Sequence, residues 1–300
     1  QEIGMCNAEF KDISELRDVE SLNYYNELIE KGEKVCTLGP IIHNPQLVEE
    51  LSLKGVRIVE SPEEVMPDET LVIRSHGVTQ EVMDKASSFN IKVADATCPF
   101  VAKIHNIVSE HSLNGCITLI AGDPEHQEVK GIVGHCFGEY YILKNLDELD
   151  NLLENFENIG EKTIIMVSQT TFNAEIWGKY QKNLKKVCTN AKIFDTICDV
   201  TEKRQSEAAA LSAACDAMLV IGGRHSSNTR KLYEICKENC ELTLWIESLR
   251  DLPKDFPPKN IHHVGIAAGA STPSGIIMEV YKVMSENFAE LLEESLKTLH

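Results

Sequence analysis

Cysteine and histidine are the side chains of this 300-residue chain whose placement suggests chemistry. Cys98 lies in VADATCPFVAK and Cys198 in FDTICDVTEKRQ. Each follows an aspartate that closes an apolar, β-branched run, and each precedes a helical pattern. A thiol at such a junction is either a small buried hydrophobe or a thiolate favoured by the N–H groups of a helix start. The repetition predicts two similar units, each ending in a cysteine loop, and a third cysteine about as far upstream. Cys6 in EIGMCNAEF is the candidate there. Thiolates from separate strand ends do not match the close Cys-x-x-Cys pairs of a zinc ribbon. They could converge on an iron–sulfur cluster held by three thiolates, which leaves one iron open to act as Lewis acid and electron source. A pair of core cysteines is the alternative.

The elements that must position these residues are short. Strands are predicted at 55–60, 70–75, 91–96, 116–122, 162–168, 191–196, 217–223, 242–247 and 262–268. Amphipathic stretches such as NPQLVEELSLKG and EKRQSEAAALSAAC lie between them. This alternation predicts βαβ units with parallel sheets. The strand-end loops, where α/β proteins place their chemistry, are rich in His, Cys, Ser, Thr and Gly: GPIIHN, RSHGV, DATCPF, AGDPEHQE, SQTTFN, DTICDV, GGRHSSNT and AAGASTP.

Bulk properties narrow the function classes. The chain carries 47 acidic and 29 basic side chains, a net charge of −18, which disfavours nucleic acid and anionic membrane as partners. An anionic small molecule would need local donors that overcome this field. No apolar run reaches the length of a membrane span. Ten cysteines scattered through a long chain without a signal peptide fit a reducing cytoplasm.

Taken together, TLGPIIHNPQ, IRSHGV, DATCPFV, DPEHQEV, SQTTFN, DTICDVTEKRQ, GGRHSSNTRKLYEIC and GIAAGASTP resemble the motifs of the 4-hydroxy-3-methylbut-2-enyl diphosphate reductases. The resemblance covers about residues 30–285, in family order. It implies an α/β fold of three similar domains with small, mostly parallel sheets, in a pseudo-threefold trefoil around a central iron–sulfur site. The domains would span 1–97, 98–196 and 197–285, with a helical extension at 286–300.

The resemblance also implies roles. Cys98, Cys198 and Cys6 would hold a [4Fe-4S] cluster with one open iron. His43, His76 and His126 would bind the diphosphate of an allylic substrate, with Ser226, Ser227, Asn228 and Ser271. Imidazoles, hydroxyls and amides can each donate hydrogen bonds to phosphate oxygens, and Ser or Asn at a helix start can also cap it. Glu128 would deliver a proton, with Thr170 orienting the substrate hydroxyl or relaying its proton, so that Glu128, Thr170 and His126 form the catalytic set. The implied reaction is a two-electron reductive dehydroxylation to isopentenyl or dimethylallyl diphosphate. GGRHSSNT does not meet the Gly-x-Gly-x-x-Gly fingerprint, so electrons would come from a ferredoxin or flavodoxin. A non-catalytic iron–sulfur sensor and a phosphate-ligand binding module are the rival readings.

The ends depart from the pattern. IGMC echoes the family's first cysteine turn, but NAEFKDISEL lacks the glycine, valine and arginine that usually follow, and extra residues separate Cys6 from His43. Cys36 in KVCTLGP lies too near the following loop to replace Cys6. ENFAELLEESLKTLH is similar to the leader before the first RNA-binding barrel of OB-repeat ribosomal proteins, so the chain could be the reductase part of a clostridial fusion.

Overall fold

The computed structural model describes residues 2–5, 25–39, 45–156, 162–258 and 261–297. Strand β1 (Glu2–Met5) opens it. Next come β2 (Lys34–Leu38), helix α1 (Pro45–Leu53), β3 (Arg57–Val59), β4 (Glu69–Ile73), α2 (Gln80–Ser88) and β5 (Lys92–Asp95). A second run holds α3 (Pro99–Leu113), β6 (Ile117–Ala121), α4 (Gln127–Val133), β7 (Tyr140–Leu143), α5 (Leu146–Asn155), β8 (Ile164–Ser168), α6 (Ala174–Val187) and β9 (Lys192–Ile193). The last holds α7 (Asp199–Ala214), β10 (Ala217–Ile221), α8 (Ser227–Asn239), β11 (Thr243–Ile246), β12 (His263–Ala268) and α9 (Ser274–Lys297).

Among the described residues these strands form three four-stranded sheets, ordered β3-β2-β4-β5, β7-β6-β8-β9 and β11-β10-β12-β1. Every pairing is parallel. The fold class is α/β, as expected, with three similar parallel sheets. Each predicted strand is found; β1, β2 and β7 are additional. All three sheets repeat one pattern, in which the first strand is central and the fourth is an edge. In the third sheet that edge strand is β1, drawn from the other end of the chain.

The central strands β4, β6, β8 and β10 are buried along their whole length, as expected where helices cover both faces of a parallel sheet. Alternation with period two divides their side chains between two cores. Ala217, Leu219 and Ile221 pack with Phe256 and Val280, whereas Met218 and Val220 pack with Leu232 and Cys236. The chain divides into two compact units, Gln1–Leu16 with Val200–His300, and Arg17–Asp199. Among the described residues no helix is long and apolar enough to cross a membrane.

Candidate active site

The first strand of each sheet ends at a glycine whose N–H closes the sheet's end. Gly39 donates to the Val59 carbonyl (2.8 Å), Gly122 to that of Leu143 (3.1 Å) and Gly222 to that of Ile246 (2.9 Å). Four residues on in sequence stand His43, His126 and Ser226. His126 and Ser226 are the N-caps of α4 and α8. His43 and Cys6 lie outside the described residues.

In the Arg17–Asp199 unit, the Nδ1 of His126 accepts from the Glu128 amide at 3.2 Å. A neutral His126 ring must then carry its proton on Nε2, leaving that nitrogen as a donor. Glu128, in the first turn of α4 and 2% exposed, accepts from Thr170 twice: from its amide at 2.6 Å and its hydroxyl at 2.8 Å. The rings of His76 and His126 meet edge to face, with centroids 5.4 Å apart.

The cysteines join this network through the backbone. Cys98 N–H donates to the Ser75 carbonyl, and Cys198 N–H to that of Thr170, both at 3.0 Å. Ser75 and Thr170 each stand two residues beyond the third strand of their sheet, so the two cysteine loops are built alike. Asp95 closes β5 and its carboxylate accepts from both the amide and the hydroxyl of Thr97. Cys98 is the N-cap of α3, with Pro99 at the first helical position; Cys198 directly precedes α7. Both are buried and outside any disulfide, and the N–H groups of a helix start suit a negatively charged sulfur. Among the described residues no three of His, Cys, Asp and Glu converge on a single metal ion. Thiolates that bind separate irons of one cluster need no such convergence.

The other unit holds Ser226, Ser227, Asn228 and Ser271. The Ser226 hydroxyl accepts from the Thr229 amide at 3.3 Å. Asn228, at the second position of α8, is 5% exposed, and neither atom of its amide has a hydrogen-bond partner. A buried amide left unpaired costs about 1–3 kcal/mol, a cost that a bound anion beside the helix start would offset. The loop of Ser271 folds back onto this helix. Thr272 donates to the Ile221 carbonyl at 2.9 Å, and a Cβ on Gly269 would lie 2.0 Å from Thr229 Oγ1.

Sequence reasoning missed three residues that support the site. Gln169 accepts from the Asp123 amide (3.3 Å) and donates to the Thr171 hydroxyl (3.1 Å), tying the His126 loop to that of Thr170. Thr229 is the residue on which the two glycine loops of its unit pack. Arg74 contacts Gln127. Each is one residue from a quoted motif position or inside a motif, and that proximity was the available signal.

A family model described as LytB protein matches residues 19–285. A 4-hydroxy-3-methylbut-2-enyl diphosphate reductase of Caldanaerobacter subterraneus subsp. tengcongensis is 41% identical over 259 residues, 85% of this chain and 88% of that one. The reductase of the same name in Clostridium tetani is 38% identical over 262 residues; the match covers 86% of this chain and 40% of that one. Among solved structures, (E)-4-hydroxy-3-methyl-but-2-enyl diphosphate reductase, the terminal enzyme of the non-mevalonate pathway, superposes with a TM-score of 0.62 and 34% identity. That match covers 90% of this chain and 95% of that one.

Proposed function

The chain belongs to the LytB protein family, and from that premise we propose that it reduces 4-hydroxy-3-methylbut-2-enyl diphosphate, the terminal step of the non-mevalonate pathway. It is an oxidoreductase. Two electrons and two protons enter, the allylic C–O bond breaks, and the oxygen leaves as water. The allyl frame keeps one proton and becomes isopentenyl or dimethylallyl diphosphate.

Cys98, Cys198 and Cys6 would hold a [4Fe-4S] cluster with three cysteine ligands and one open iron, which when bound would supply electron transfer and Lewis acidity. Cys98 and Cys198 fit such a group: each is a buried thiol at a helix start, in loops of matching construction. Cys6 is the third ligand in this reading. It follows Met5 of β1, which is the fourth strand of its sheet, as β5 and β9 are in theirs. All three candidate ligands thus follow a fourth strand.

The observation that carries the reading is the buried pair of Glu128 and Thr170. A protonated Glu128 hands its proton to the Thr170 hydroxyl, which turns its own proton toward the leaving oxygen; a carboxyl within hydrogen-bond reach is what general acid work requires. His43, His76 and His126, with Ser226, Ser227, Asn228 and Ser271, hold the diphosphate. Charge-assisted hydrogen bonds from these donors overcome the chain's net negative charge. A ferredoxin or flavodoxin delivers the electrons, and the enzyme works in the reducing cytoplasm. A sensor or a binding module would have no use for a buried carboxyl held by a threonine relay.

The test is anaerobic purification, visible and EPR spectra, and an assay of substrate-dependent oxidation of a reduced dye. A cluster signal with turnover is expected. A cluster without turnover would leave the sensor, and neither signal would leave the binding module.

A further inference from the structure

Arg74 stands where the ends of β2 and β4 and the start of α4 meet within the Arg17–Asp199 unit. It follows β4 directly, and its carbonyl accepts from the Gly77 amide at 2.9 Å, closing a turn around His76. Its Nη2 donates to Gln127 Oε1 at 3.0 Å; Gln127 lies between His126 and Glu128. On the third side its guanidinium lies over Gly39, where an added Cβ would come 3.0 Å from Nη1. Gly39 also has a φ of +68°, a left-handed conformation that glycine adopts without strain. One guanidinium therefore lies beside Gly39 at the end of β2, on the loop that carries His76, and against the helix start that carries His126.

We propose that Arg74 is the positioning residue of the anion subsite, tying the His76 loop to the start of α4 and holding a fixed positive charge beside His76 and His126. This rests on the substrate reading given above. Imidazoles are largely neutral near pH 7, whereas a guanidinium stays protonated. Burial lowers the pKa of Arg74, yet a partly buried cation acts through a lower dielectric and so more strongly on a nearby anion. The planar fork lets it grip Gln127 while its other face meets Gly39, which a lysine ammonium cannot copy in full. In a chain of net charge −18, such a cation offsets the repulsion of a diphosphate.

The test uses the anaerobically loaded enzyme, with 4-hydroxy-3-methylbut-2-enyl diphosphate as substrate and inorganic pyrophosphate as inhibitor. Wild-type turnover checks the substrate reading by itself. Arg74→Gln is expected to raise KM and the pyrophosphate inhibition constant about tenfold or more, with kcat within about threefold and a flatter dependence of kcat/KM on ionic strength. Arg74→Lys, which keeps the charge, should recover most of the KM and the ionic-strength dependence. A Gln variant whose KM and inhibition constant match a working wild type overturns the proposal, as does a loss confined to kcat. Should Arg74→Gln not fold, Gln127→Leu cuts the same tie from the α4 side, and an unchanged KM there refutes the positioning role.

Discussion

The carboxylate of Glu128 is gripped by one residue, Thr170, whose amide and hydroxyl donate to its two oxygens at 2.6 and 2.8 Å. Because the Thr170 carbonyl also accepts the Cys198 amide, a single residue connects the proposed proton donor to a candidate cluster ligand.

Removing either partner should separate proton delivery from binding. Glu128→Gln is expected to lower kcat by about 10²–10⁴-fold, the span of general acid contributions, with little change in KM. Thr170→Val keeps the amide donor and loses the hydroxyl, so a smaller loss of about 10–100-fold is expected, as for one hydrogen bond to a charged group. Steady-state dye oxidation measures both, and a Thr170→Val enzyme with wild-type kcat would remove the relay.

Serine at Cys6, Cys98 or Cys198 should abolish or sharply reduce cluster absorbance after anaerobic reconstitution, because serine oxygen is a poor ligand for iron–sulfur clusters. Cys36→Ser is the control. Its thiol is buried, reaches the Thr70 carbonyl and has its pKa pushed up to about 12 by burial, so it stays protonated. Iron content and visible spectra decide; a Cys6→Ser protein with full cluster content would exclude that residue as a ligand.

Asn228→Leu should trade function against stability. The amide has no protein partner to lose, so the thermal midpoint of the substrate-free protein should hold or rise. KM for the diphosphate should increase about 10–100-fold if the amide donates to a charged oxygen. An unchanged KM would take Asn228 out of the anion site.

The stacked rings of His105 and His135, 4.1 Å apart, give the fold an acid sensitivity. Burial pushes His105 down to about 3 and also lowers His135, whose Nε2–H donates to the Val78 carbonyl at 3.1 Å. Both folded pKa values lie below the unfolded value of about 6.5, so the unfolded chain binds protons first. The stability of the neutral pair is complete above that value and is lost as pH falls toward 3. Urea midpoints should therefore be level at pH 7–8 and decline from about pH 6.5 downward. His105→Phe should flatten this slope between about pH 6.5 and 5, above the carboxylate range. A wild type with level stability across that window would contradict the assignment.

Much of this protein was written in local patterns. Apolar β-branched runs of strand length, set between amphipathic stretches, determined the α/β class, because side-chain alternation and helical period are properties of neighbouring residues. The loop residues His76, Cys98, His126, Glu128, Thr170 and Cys198 were legible for the same reason, each being fixed to the end of a strand. The short strands β2 and β7 escaped notice: β2 mixes Cys36 and Thr37 with its apolar residues, and β7 opens on the exposed Tyr140.

Tertiary structure alone decided what lies far apart in sequence. Pairing of β1 with β12 carries the N-terminal strand into the last sheet, a choice set by edge hydrogen bonds that no local pattern encodes. The meeting of Glu128 with Thr170, the grip of Arg74 on Gln127 and the unpaired amide of Asn228 likewise depend on which loops the sheets bring together. Sequence determined the groups available for chemistry; packing decided their neighbours, because burial and hydrogen-bond geometry exist only once distant segments meet.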